Sequence, residues 1–153
     1  MKKKCAIAVA MICILAAQSF ASGMAAENAL DFSKVLGKNW TLEEIRTGQT
    51  VVRINRSAGT NAIFTLMFEA ERVSGVGAPN RYFGPYARGE SAALSFGAMA
   101  STMMAALFEN EALKEHEYFA YLAKVFRWDM RNGKLMLYTL NPKNEEVILV
   151  YTE

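Results

Sequence analysis

Past residue 13 the chain has no cysteine, and in 153 residues it has one histidine, His116, and three prolines. Each scarcity removes a class of function. Cys5 and Cys13 sit inside an N-terminal apolar run, so the remainder offers neither a disulfide nor thiol chemistry. One histidine without cysteines makes a poor zinc site. His116-Glu117-x-x-Ala120 opens like a zinc-protease helix but lacks the second histidine. Ser74, Ser91, Ser95 and Ser101 stand in no Gly-x-Ser-x-Gly elbow, and a hydrolase triad would need His116 to act alone. Charge of one sign is also missing, with 17 basic residues against 15 acidic ones.

The single long apolar run, Cys5 to Ala17, follows Lys2-Lys3-Lys4 and spans 13 residues. That falls short of the ~20 needed to cross a bilayer. Ser19-Phe20-Ala21 then places small residues for cleavage after Ala21, with Gly23 as an alternative. No leucine and small residues precede Cys13, as a lipoprotein would require. Residues 1–21 therefore read as a signal peptide. The expected product is soluble, periplasmic or secreted, and not membrane-spanning once the signal is removed. Losing three lysines takes the basic count from 17 to 14 against 15 acids, a net charge of −1. No electrostatic case for nucleic acid remains. About 130 residues suffice for one domain held by its own core.

The pattern after the leader is mainly β. Residues 22–35 read as an N-terminal lead, loosely ordered from Ser22 to Phe32, and 36–153 as the domain. Trp40, Leu42 and Ile45 mark a first strand and Thr50–Asn55 a second, before a Ser/Gly/Asn turn at Arg56–Asn61. Ala62–Ala70 alternates, with Phe64, Leu66 and Phe68 on one face and Ile63 and Met67 on the other. Arg72–Gly75, Arg81–Arg88 and Ala92–Phe96 read as further strands. Asn110–Val125 reads as a helix with Leu113, His116, Phe119 or Ala120, and Ala123 along one stripe. Phe126, Trp128 and Met130 alternate into Asn132-Gly133, the strongest two-residue hairpin turn. The implied register pairs Met130 with Leu135 and Trp128 with Leu137. Val147–Thr152 closes the chain. Seven to nine short strands and one helix predict an α+β fold: a small, partly open antiparallel β-barrel, or strongly curled sheet, with one packed α-helix.

Gly75–Tyr86 is the densest segment in conformationally demanding residues. Gly75, Gly77 and Gly84 permit positive φ or close approach, Pro79 and Pro85 lock φ, and Asn80 suits a turn. Gly75-x-Gly77-x-x-Asn80 lacks the third glycine and following helix of a dinucleotide loop, so it reads as a bent strand corner. Tyr82, Gly84 and Tyr86 should share one face, and Arg81, Phe83 and Pro85 the other. One face is expected in the core; the other, with Arg81 and Arg88 near aromatic rings, is a candidate binding patch. Glu69 and Glu71 read as a solvated pair beside Arg72 rather than an acid–base dyad. Met99, Met103 and Met104 fit either flexible packing, an apolar groove, or soft thioether ligands for Cu(I).

Taken in order, these residues resemble a known family. Gly37-x-x-Trp40-x-Leu42 resembles the opening strand of the META domain, found in HslJ-type heat-inducible envelope proteins. Val73-Ser74-Gly75, Gly77 and Asn80-x-Tyr82-x-Gly84-x-Tyr86 resemble its central motif. Leu94-x-Phe96-Gly97 and Ser101-Thr102-Met103-Met104-Ala105 resemble its next strand and its "T-x-M-A" stretch. Glu117, Phe119 and Leu122 fit the following helix, and Lys134-Leu135-x-Leu137 fits the end. The resemblance covers about Leu36 to Tyr151. It implies a partly open barrel with a packed helix and no enzymatic activity or cofactor. It also implies a role in envelope stress or homeostasis through an unidentified protein partner, while some related architectures hold lipids. Many members carry cysteines where this chain has Pro79 and Ala106. Their joint absence implies that the two positions are neighbours and that any redox role is lost. Met103 replaces a basic residue common there. The signature residues are thus Gly75, Gly77, Asn80, Tyr82, Gly84, Tyr86, Thr102 and Met104. The candidate binding surface is Arg81, Phe83, Met99 and Met103. The alternative function is a carrier of lipid or a small apolar ligand in a barrel cavity lined from Met99–Met104 and the helix.

Overall fold

Trp40, Leu42 and Ile45 depart from strict alternation, and a β-bulge explains the extra residue. In the computed structural model, which describes residues 30–54, 63–105 and 110–153, the first strand is β1 (Trp40–Thr47). Its pairing slips between Leu42 and Glu44, so all three apolar side chains point inward and are buried. The first half of β1 pairs with β3 (Phe64–Phe68) and its second half with β2 (Thr50–Arg53), all four residues of which are exposed. The leader, the Arg56–Asn61 turn and Ala106 lie outside the described residues.

The remaining elements are β4 (Arg72–Gly77), β5 (Arg81–Arg88), β6 (Leu94–Phe96), β7 (Ala100–Ser101), α1 (Glu115–Leu122), β8 (Arg127–Arg131), β9 (Lys134–Leu140) and β10 (Glu146–Thr152). The strands form an antiparallel sheet in the order β6-β5-β4-β3-β1-β10-β9-β8, with β2 on β1 and β7 on β5. Its two ends meet. Leu94 N–H donates to the Phe126 carbonyl at 3.2 Å, and Trp128 N–H donates to that of Ala92 at 3.1 Å. The sheet is thereby nearly closed into a barrel, which removes most exposed edge. Strand β7 was not expected, and it brings the strands among the described residues to ten, against the seven to nine expected.

The inward faces of these strands supply one core, in which Trp40, Leu66, Phe68, Leu135, Leu137 and Leu149 are essentially inaccessible. The terminal hairpin has the expected register, Met130 against Leu135 and Trp128 against Leu137. Its turn holds Asn132 at φ 52 and Gly133 at φ 75, the left-handed pair such a turn requires. Two expectations are corrected. The end of the lead packs with the domain, and its loose part stops short of Asp31, which caps a 3-10 turn and seats Phe32 and Val35 in the core. The helix begins at Glu115 rather than Asn110. The Asn110 carboxamide accepts from Ala112 N–H at 2.9 Å, holding a turn, and Lys114 is extended. The buried stripe is Tyr118 and Leu122, with Phe119 half-buried and His116 exposed. The stripe is rotated from the expected one because Tyr118 finds hydroxyl partners inside the barrel. The helix packs on β4 and β9, and Thr139 Oγ1 donates to the Tyr121 carbonyl at 2.6 Å.

Candidate functional site

Strands β4 and β5 are joined through Ala78, Pro79 and Asn80, with Gly77 N–H donating to the Asn80 carbonyl at 2.7 Å. The turn sets the Asn80 side chain, 5% exposed, against a distant stretch of chain. Its Oδ1 accepts from Thr102 Oγ1 at 2.8 Å and from Met104 N–H at 2.6 Å. Its Nδ2 donates to the Met104 carbonyl at 3.2 Å and to Glu115 Oε2 at 3.0 Å. Thr102 Oγ1 in turn accepts from Arg81 N–H at 3.1 Å, and Thr102 N–H donates to the Arg81 carbonyl at 3.0 Å. One carboxamide, with both ends used, therefore ties the β4–β5 corner to the Thr102–Met104 segment and to the start of α1. Asn80, Thr102 and Met104, separate motifs in the sequence, form one unit. An Asn80→Asp variant keeps the shape, loses both donors and faces Glu115 with a second carboxylate. We expect a loss of about 2–3 kcal/mol, read as a lower urea midpoint, with faster proteolysis between Thr102 and Ala105. Unchanged proteolysis there would refute the clamp.

A second cluster lies inside the barrel. Tyr82 Oη donates to the Thr65 carbonyl at 2.8 Å and lies 3.0 Å from Tyr118 Oη. Tyr151 Oη donates to Tyr118 Oη at 3.2 Å, and Tyr118 Oη reaches the Thr65 carbonyl at 3.4 Å. Burial pushes all three phenols well above the usual tyrosine value, and each ring's neighbouring phenol adds to the effect by charge. At neutral pH they are neutral hydrogen-bonding groups.

The glycines are explained by this packing rather than by positive φ. A Cβ on Gly75 would lie 2.0 Å from the Thr65 carbonyl oxygen and 2.8 Å from Tyr82 Oη. One on Gly77 would meet the Phe119 ring at 2.8 Å, and one on Gly84 would meet Met99 Sδ at 2.8 Å. Tyr86 is half-buried, donates to the Glu69 carbonyl at 2.7 Å and packs its ring against Phe68. The alternation of β5 is as expected: Tyr82 and Gly84 point inward, Arg81, Phe83 and Pro85 outward. Glu69 is paired with Arg72, in a turn rather than on a strand.

The four candidate surface residues separate. Arg81 and Phe83 are exposed on β5, and Met103 is 97% exposed. Met99 is half-buried against the core, over Gly84. Met103 and Met104 border an open depression of about 480 Å³ between Thr102–Ala105 and the first turn of α1, which Glu115 and His116 also line. A larger open groove, about 790 Å³, runs along the barrel seam between Arg88–Ala92 and Trp128–Arg131. Sequence reading missed Glu115, Tyr118, Tyr151 and Thr65. Tyr151 was within reach, since it shares parity with the apolar Val147 and Leu149. Nothing local marked Glu115 or Thr65. Among the described residues, no three His, Asp or Glu side chains are grouped to hold a metal.

A nearly closed antiparallel barrel with a packed helix, and a corner clamped by Asn80, defines a small β-barrel domain built around the Gly75–Tyr86 segment. The chain belongs to the META domain family, whose model matches residues 33–152. Two solved structures share the fold. An NMR structure of a protein from Burkholderia xenovorans is 20% identical with a TM-score of 0.57, over 99% of this chain and 98% of that one. A crystal structure of a duf4847 family protein from Bacteroides vulgatus is 11% identical with a TM-score of 0.55, over 79% and 95%. No curated protein matches.

Proposed function

We propose that this META domain protein is exported and works in the envelope or outside the cell without catalysis, by contacting another protein in stress tolerance or envelope homeostasis. The observation that carries this reading is the outward face of β5. Phe83, 56% exposed, shares that face with Arg81, whereas Tyr82 on the inward face of the same strand is buried. An exposed ring next to a guanidinium suits a partner offering apolar contact and a carboxylate. The Lys2–Lys4 segment and the apolar run after it support export. Among the described residues no helix is long and apolar enough to cross a membrane.

The carrier reading has less support. Trp40, Phe64, Tyr82, Tyr118 and Tyr151 fill the described interior, where that reading needs a cavity between Met99–Met104 and the helix. A photo-crosslinking residue at Phe83, in the intact envelope, should yield one dominant protein adduct that Arg81→Glu diminishes several-fold. Absence of any protein adduct, with lipid recovered instead, would turn the assignment to the carrier.

A further inference from the structure

Met103 and Met104 are held in an arrangement that packing does not explain. Their side chains are 97% and 54% exposed, so they contribute little to the core. Yet the backbone that presents them is fixed, because the Asn80 carboxamide holds both the N–H and the carbonyl of Met104. Two thioethers are thus displayed on an anchored segment at the rim of one depression. His116, the histidine of the chain, is exposed in the first turn of α1 and lines that same depression. Beside it Glu115 has one carboxylate oxygen bonded to Asn80 and the other, Oε1, buried without a hydrogen-bond partner.

We propose that Met103, Met104 and His116 form a surface site for Cu(I). Thioether sulfur and imidazole nitrogen are soft to borderline donors, suited to a monovalent d10 cation that accepts low coordination numbers. A hard cation such as Ca²⁺ or Mg²⁺ needs several oxygen ligands, and the depression offers one carboxylate. Zn²⁺ needs four strong donors, commonly thiolate or imidazole, and one imidazole does not supply them. The positive end of α1 opposes a nearby cation, and Glu115 and Glu117 in its first turn offset that field. Glu115 itself lines the depression, with its Oε1 buried and unpartnered behind the Oε2 that Asn80 holds. Because the chain past residue 13 lacks cysteine, thioethers are the sulfur donors it has for such an ion. The site does not depend on the partner reading, since it involves neither Phe83 nor Arg81.

The test is anaerobic competition between the purified protein and a chromogenic Cu(I) chelator, with ascorbate present. One equivalent of Cu(I) should be withdrawn from the chelator. The double variant M103L/M104L and the single variant H116Q should each weaken binding roughly tenfold or more, while M99L should leave it unchanged. Both methionines are exposed, so the leucine variants should fold normally, and circular dichroism checks this. In methyl-labelled protein Ag(I) should shift the Met103 and Met104 methyl resonances and spare that of Met67. Failure to compete, or Cu(I) uptake that survives M103L/M104L, overturns the proposal.

Discussion

Gly75→Ala should cost about 3 kcal/mol or more, a large part of what holds a domain of this size together. The added methyl would sit 2.0 Å from the Thr65 carbonyl oxygen and 2.8 Å from the Thr65 carbonyl carbon. Those are backbone atoms in the partner strand, β3, and they cannot rotate away. Relief requires β3 and β4 to separate where Leu66 pairs with Gly75. The same carbonyl oxygen accepts from Tyr82 and is within reach of Tyr118, so displacing it also loosens the buried phenols. Two other glycines provide the scale. Gly77→Ala meets the tip of the half-buried Phe119 ring, a side chain rather than a partner strand's backbone, so about 1–2 kcal/mol is expected. Gly37→Ala meets nothing within 4 Å and suffers only from its φ of +71°, again about 1–2 kcal/mol. Urea midpoints at constant slope measure all three. A Gly75→Ala loss no larger than that of Gly37→Ala would mean that β3 and β4 do not approach so closely.

The parts of this fold that were legible in the sequence are those governed by rules acting over a few residues. The Asn132-Gly133 hairpin and its register followed from turn chemistry and alternation, and the two faces of β5 followed from alternation alone. Helix α1 was harder. Its length and stripe were misjudged because Asn110 turns the chain locally, while the Tyr118 hydroxyl gains partners on β3, β5 and β10 that periodicity does not contain. Phe32 was set outside the domain because its segment has no strand pattern. It belongs to the core through contacts with Phe68 and Trp128, both remote in sequence. The candidate site shows the same division. Gly75 and Asn80 stood out as unusual residues and Thr102 through the family resemblance, but their purpose lies in pairings such as Asn80 with Thr102, Met104 and Glu115. Such pairings exist only once the barrel closes, and no local propensity encodes them.

The buried phenols make the protein's stability fall steeply in alkali. In the unfolded chain a tyrosine loses its proton near the ordinary value of 10.0, whereas Tyr82, Tyr118 and Tyr151 ionise only well above it when folded. The raised values contribute nothing unfavourable below pH 10, where both states are protonated. Above it the unfolded chain binds fewer protons than the folded one, so stability declines with rising pH until the folded-state values are reached. Each tyrosine adds a slope of up to about 1.4 kcal/mol per pH unit, and the three together up to about 4. They will not titrate independently, because the first phenolate formed among contacting hydroxyls raises the others. Urea unfolding followed from about pH 9 to about pH 11.5 should show this decline, with tyrosinate absorbance from the three appearing only as the protein unfolds. Tyr118→Phe separates the terms. At neutral pH it should cost about 1–3 kcal/mol, because Tyr151 loses the acceptor for its hydroxyl. In alkali its stability should decline less steeply than that of the parent, by about one tyrosine's share. Parallel curves for the variant and the parent would show that Tyr118 ionises freely in the folded barrel, and the buried cluster as described could not stand.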